Sequence, residues 1–155
     1  MIAGVTSPLP TDVITIDDFK KNYYPVMQKD LVKSGAIYGI PAGADTISLF
    51  VNTELLNAAG ASVPTNWDQL VKTAKSLTVK EENGEIKTAG IALGAYGNIT
   101  HAPDIISLLF VQQGIDMNKF NSFVNDQVDV LDFYTSFAKG VDNTWDYNSE
   151  SSIVL

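Results

Sequence analysis

Residues 36–70 read AIYGIPAGADTISLFVNTELLNAAGASVPTNWDQL, and the alternation inside this stretch decides the fold class. Ala36-Ile37-Tyr38-Gly39-Ile40-Pro41 is a strand pattern that stops at a proline, and Ala42-Gly43-Ala44-Asp45 is a turn. Thr46-Ile47-Ser48-Leu49-Phe50-Val51 follows at once as a second strand, apolar on both faces as the interior of a mixed or parallel sheet requires. Asn52-Thr53-Glu54 starts a short helix that runs to Ala59 with Leu55, Leu56 and Ala59 inward, and Gly60 closes it in a left-handed conformation. Beyond the connector Ala61 to Pro64, Thr65 or Asn66 caps an amphipathic helix. Its buried face is Trp67, Leu70, Val71, Ala74 and Leu77, with Lys72 and Lys75 outward. Strands interleaved with helices in this manner predict an α/β fold.

Working outward, Thr11 to Ser34 predicts a helical stretch capped by Thr15 or Asp17, with Phe19, Tyr23 and Val26 on one face. Pro25 forces a kink or a restart within it, and Gly35 ends it. Downstream, Asn83-Gly84 is a turn between short strands around Val79 and Ile86. Gly90-Ile91-Ala92-Leu93-Gly94 predicts a short buried strand. The loop from Ala95 to Ala102 leads to Pro103 in a helix first turn. That helix, through Val111 to Gly114, is apolar nearly all round and is expected to be buried. A last helix from about Gln127 to Lys139 predicts Val128, Leu131, Phe133, Tyr134 and Phe137 as its buried side, stopped by Gly140. A polar loop follows, and Ile153-Val154-Leu155 begins an apolar element that does not develop.

The chain has 155 residues, 45% of them hydrophobic, which suffices for one globular domain with its own core. Ten Lys+Arg against 18 Asp+Glu give a net charge of −8, which repels nucleic-acid phosphates and anionic membranes. No stretch approaches the roughly 20 apolar residues of a spanning helix. The first eight residues have neither the basic nor the apolar region of a signal peptide. The absence of cysteine removes thiol catalysis, thiolate metal sites and disulfides.

Catalytic spacing is missing. No G-x-S-x-G elbow, H-E-x-x-H, Walker loop or G-x-G-x-x-G occurs, and His101 is the only histidine. Asp116-Met117-Asn118 opens like a calcium loop, but Phe120 stands where an oxygen ligand is needed. The sequence therefore predicts neither an enzyme nor a metal site nor any cofactor. Asp45 reads equally as a turn former or as a ligand carboxylate. Tyr96, Asn98 and His101 occupy the loop after Gly94, where α/β sheets hold ligands, or else cap the helix that follows. Asn98-Ile99-Thr100 also spells a glycosylation sequon. Trp67 reads as core. Trp145 and Tyr147 lie in a polar loop, either as a flat aromatic surface for a sugar ring or as a local cluster.

The order of these segments resembles the middle of an extracellular solute-binding protein of family 1, the maltose-binding-protein-like receptors of ABC transporters. The resemblance rests on Tyr38-Gly39-Ile40-Pro41, on the apolar strand running into Asn52, on the short helix ending Ala59-Gly60, and on Pro64-Thr65-Asn66-Trp67-Asp68-Gln69-Leu70. Gly90-Ile91-Ala92-Leu93, Asp104 to Gly114, Leu131 to Ala138 and Thr144-Trp145 extend it, so that it covers about Asp30 to Trp145. It implies the two-lobed type II periplasmic-binding fold, present here as an incomplete part. Residues 1–44 would end the first lobe and approach the hinge, 45–52 would form the hinge-crossing strand, and 53–155 a second lobe truncated at its C-terminal end. The expected helix with Gly-Lys beyond Trp145 is absent from the sequence, as is any leader, so both flanks of the gene product are expected to be missing.

The resemblance also implies the role. Asp45 and Thr46 at the start of the crossing strand, Tyr96, Asn98 and His101 after the Gly90–Gly94 strand, and Trp145 beyond the last helix would contact a small solute. A sugar or oligosaccharide is the expected class, as the family and the pairing of Asp45 with aromatic residues suggest, and an acidic chain would not preselect anions. A monomeric receptor, extracellular or periplasmic and anchored as a lipoprotein in its full-length form, would deliver the solute to an ABC permease. Two other readings stand beside it: a truncated, non-transporting structural or interaction module, and an α/β hydrolase dependent on His101.

Overall fold

The computed structural model describes residues 5–117 and 125–146. The chain divides into two compact units, Met1–Thr46 and Ile47–Leu155.

In the first unit, α1 spans Ile16–Asn22 and is capped by Thr15, whose hydroxyl accepts from the Asp18 backbone N–H and donates to the Asp18 carboxylate at 2.6 Å. One side chain thereby satisfies an orphan amide and holds a carboxylate at the positive end of the helix. Tyr23 and Tyr24 are extended and Pro25 opens α2 (Pro25–Leu31) at its first turn, so the proline restarts the helix and does not kink it. Phe19 is fully buried, with its ring 4.6 Å from that of Tyr23. Val26, expected on the same face, is exposed because the restart after Tyr24 breaks the helical phase.

Gly35 does not end the helix. It forms, with Ser34, the two-residue turn between β1 (Val32–Lys33) and β2 (Ala36–Ile37), which pair antiparallel with Val32 opposite Ile37. Both turn residues have positive φ, +51° and +74°, which matches the twist of a tight hairpin and explains a glycine here. The expected strand 36–41 is thus reduced to Ala36–Ile37.

The second unit opens at Ile47, within the segment 46–51 expected as a buried strand. That segment has no strand partner among the described residues, and Ile47, Leu49 and Phe50 are exposed. A strand is made by its neighbour, and apolar character without one yields only an unpaired segment. Helix α3 (Thr53–Ala58) follows as expected. Asn52 Oδ1 accepts from the amides of Glu54 and Leu55, and Ala61 N–H donates to Leu56 C=O at 2.9 Å across Gly60, a Schellman closure. Leu56 is buried, whereas Leu55 and Ala59 are exposed. Helix α4 (Trp67–Leu77) is capped by Asn66 and buries Leu70 and Ala74, with Trp67, Val71 and Leu77 half-buried. β3 (Val79–Lys80) and β4 (Ile86–Thr88) form a hairpin through the Asn83-Gly84 turn.

Residues 90–94 are not a strand but a partly buried series of bends, with Leu93 and Gly94 fully inside. Gly90 lies against α4 so closely that a Cβ would land on the Ala74 carbonyl oxygen, and its N–H donates to Thr78 Oγ1 at 3.2 Å. At Gly90 the place of a sheet neighbour is thus taken by α4. Helix α5 (Ala102–Gln112) buries Ala102, Leu109 and Phe110, while Leu108 and Val111 face solvent, so it is buried on one side and not all round. Helix α6 (Asn125–Ser136) buries Gln127, Val130 and Tyr134, and Phe137 continues the stripe, whereas Val128 and Leu131 are exposed. The sequence offers α6 two apolar stripes, and packing against α5 selects 127-130-134-137. Leu70, Leu93, Ile99, Ala102, Leu109, Phe110, Val130, Tyr134, Phe137 and Trp145 belong to one core.

The carbonyl wall at Gly90 predicts that Gly90→Ala destabilises by about 1–3 kcal/mol, the range for overpacking. Gly97→Ala, where no atom lies within 4 Å of the added carbon, stays within about 0.5 kcal/mol in urea denaturation.

Candidate functional site

The loop 95–101 is fastened to the C-terminal part of the second unit at its start and at Asn98. At its start, Gly94 has φ +95° and packs on the backbone after α6, where a Cβ would sit 2.5 Å from the Ala138 nitrogen; conformation and close approach both require glycine. The Tyr134 hydroxyl then donates to the Ala95 carbonyl at 2.6 Å. Burial pushes the Tyr134 phenol above its ordinary range, with the backbone at Gly94 drawing it partly back.

Further along, Asn98 receives the Trp145 indole N–H on Oδ1 at 3.1 Å, and its Nδ2 donates to the Asp146 carbonyl at 2.9 Å. Trp145 itself is held by the Phe137 carbonyl, which accepts from the amides of both Thr144 and Trp145, at 2.8 and 3.1 Å. Between these fastenings Tyr96 is 67% exposed. His101 caps α5 by position but not by its side chain, which is exposed with Nδ1 3.2 Å from Asp104 Oδ2.

The six sequence-predicted residues therefore separate. Trp145, expected as an aromatic surface, is 2% exposed and belongs to the core; the polar loop around it gave no sign that the chain turns back. Asn98 is half-buried and turned onto Trp145 and Asp146, which also argues against the sequon reading, since the amide nitrogen that would carry a glycan is engaged. Tyr96 and His101 reach solvent on the same loop. Asp45 and Thr46, both exposed, belong to the first unit. Tyr147, Asn118, Phe120 and Ile153 to Leu155 lie outside the described residues. Trp67 packs against the core edge-to-face with Phe133 at 5.5 Å and donates its indole N–H to Gln112 Oε1 at 2.8 Å.

Sequence reasoning missed Tyr134 as an anchor of the loop. The available signal was a tyrosine on a buried stripe, whose hydroxyl must find an acceptor. An open cavity of about 330 Å³ lies elsewhere in the second unit, between α4 and the turn after α6, with Val71 and Phe137 as its floor and Lys75, Lys139 and Asp142 at its rim. None of the six residues lines it.

Residues 3–149 match the family described as bacterial extracellular solute-binding protein. The chain belongs to that family. Within the family frame, similar proteins include provisionally named binding proteins of Brucella abortus (strain 2308) and Brucella suis biovar 1 (strain 1330). Each is 31% identical over 83 residues, 53% of this chain and 19% of the relative. The matched stretch is thus about a fifth of those relatives' length. No solved structure gives a significant match. No helix among the described residues is long and apolar enough to cross a membrane.

The Tyr134 anchor generates a prediction. Tyr134→Phe leaves the buried Ala95 carbonyl without its donor and costs about 1–3 kcal/mol in denaturant unfolding. A phenol whose folded pKa is raised contributes stability that is complete below the unfolded value near pH 10 and is lost as pH rises through the folded value. The alkaline loss measured between about pH 8 and pH 11 is therefore smaller in Tyr134→Phe than in the parent.

Proposed function

We propose that this chain is part of a two-lobed receptor of the type II periplasmic-binding fold that captures a small neutral solute, a sugar or oligosaccharide, and passes it to an ABC permease. Family membership over residues 3–149 is the observation that carries the reading. In this reading the segment 45–52 crosses between lobes, residues 1–44 belong to the first lobe, and residues 53–155 begin the second. The exposed apolar side chains of Ile47, Leu49 and Phe50 support it, because a crossing strand needs sheet neighbours that the longer protein would supply. The full-length protein works outside the cytoplasmic membrane, anchored as a lipoprotein, as a monomer.

The chemistry is capture. Tyr96 and His101 offer an aromatic face and an imidazole on a loop that is already fastened, and Asp45 and Thr46 add a carboxylate and a hydroxyl able to bond sugar hydroxyl groups. Lobe closure then shields those bonds from water, and the solute biases the closed state by the contacts it makes only there. In this reading the function is binding without chemistry, as membership of a solute-binding family supports.

A thermal-shift screen of sugars, polyols and amino acids on the full-length receptor tests this. A solute at 100 times its Kd adds about 2.7 kcal/mol of stability, and a neutral saccharide is expected to give the largest shift. Asp45→Ala, which leaves solute hydroxyl groups unpaired, is expected to weaken binding of that saccharide by about 1–3 kcal/mol in calorimetry. Stabilisation by amino acids alone would overturn the saccharide assignment, and an unchanged affinity in the variant would remove Asp45 from the site.

A further inference from the structure

Trp145 and Asn98 satisfy one another's polar groups, and the loop they close carries one exposed aromatic ring. We propose that the Asn98–Trp145 pair is a positioning device that fixes the loop 95–101 so that Tyr96 presents the aromatic face to the solute. This rests on the solute-capture reading above and changes what two of its residues do.

Three observations carry the inference. First, Trp145 has no face to offer: it is 2% exposed, and its indole N–H is spent on Asn98 Oδ1 at 3.1 Å. Second, the Asn98 amide bridges two parts of the fold far apart in sequence. It takes the indole proton on its oxygen and gives a proton from its nitrogen to the Asp146 carbonyl at 2.9 Å. A side-chain amide used in both directions sets the height and the rotation of the backbone that bears it. Third, Tyr96 lies two residues before this clasp and directly after the Ala95 carbonyl, which the buried Tyr134 hydroxyl holds at 2.6 Å. The backbone on each side of Tyr96 is thus pinned to the core, while its ring is 67% exposed.

An exposed tyrosine on a free loop loses conformational freedom when a ligand orders it. On a pinned loop most of that cost is already met in folding. Tyrosine suits such a platform because a large amphipathic surface is ordered by only two side-chain torsions. Asn98 and Trp145 are positioning residues, and their effect on the solute passes through Tyr96.

The test is a double-mutant cycle in the full-length receptor, with the neutral saccharide that binds tightest in isothermal titration as the probe. Trp145→Phe keeps an aromatic ring in the core and removes the indole donor together with part of the buried ring volume. It is expected to weaken binding about tenfold in the parent, within the range of coupling between contacting residues. In a Tyr96→Ala background the same change is expected to do less than about twofold, because the ring it positions is gone. Effects that multiply independently, or an unchanged affinity in Trp145→Phe, overturn the proposal.

Asn98→Asp provides the second variant: it keeps an acceptor for the indole and loses the donor to Asp146, and the same dependence on Tyr96 is expected. Hydrogen exchange of the unliganded receptor reads the clasp without any solute. Amides of residues 95–100 are expected to exchange faster in Trp145→Phe while those of α4 and α5 are unchanged, and unchanged loop exchange overturns the clasp. Failure of every saccharide to bind the parent receptor overturns the solute reading and the platform together, whatever the exchange experiment shows.

Discussion

A buried indole has to bring its N–H to an acceptor, and in this chain that requirement draws the segment after α6 back onto the loop before α5. Trp145 enters the core because the Phe137 carbonyl collects two amides, those of Thr144 and Trp145, and so bends the chain sharply beyond Gly140. Once the ring is inside, Asn98 is the acceptor within reach. Its other end takes hold of the Asp146 carbonyl, and the loop 95–101 acquires a fixed place. The Gly94 approach to Ala138 and the Tyr134 hydroxyl on Ala95 complete the same join from the other side. An unmade bond at any of these buried groups costs more than the bond contributes when made, which gives the arrangement its cooperativity.

The join also divides labour among aromatic residues. Phe133, Phe137 and Trp67 meet edge-to-face at 5.4 and 5.5 Å and fill the space between α4 and α6. Trp145 and Tyr134 bring their polar ends to loop acceptors. Tyr96, the one tyrosine of this loop, stays largely in solvent.

The parts of the fold legible in the sequence are those governed by a few neighbouring residues. Asn52 and Asn66 are caps because a short side-chain oxygen reaches amides two or three residues on. Gly60 and Gly114 end helices because the left-handed residue there carries no Cβ penalty. Asn83-Gly84 turns the β3–β4 hairpin for the same kind of local reason. Segments 46–51 and 90–94 read as strands because apolar side chains gather in them, but a ladder needs a second chain of amides and carbonyls. At Gly90 the neighbour is α4 and at Gly94 it is the backbone after α6; at 46–51 the described residues supply no strand partner.

By itself, then, the sequence determined the asparagine caps of α3 and α4, the glycine ends of α3 and α5, the acidic character of the chain, and the segment order that marks a solute-binding family, because each depends on composition or on spacing along the chain. Tertiary structure alone decided which stripe of α6 is buried, which face of α5 meets solvent, and that Trp145 closes a core while Tyr96 remains outside. Those outcomes depend on partners 39 to 48 residues away, such as Tyr134 for Ala95 and Asp146 for Asn98. Contacts at that separation follow from how helices pack, and local propensity carries no record of them.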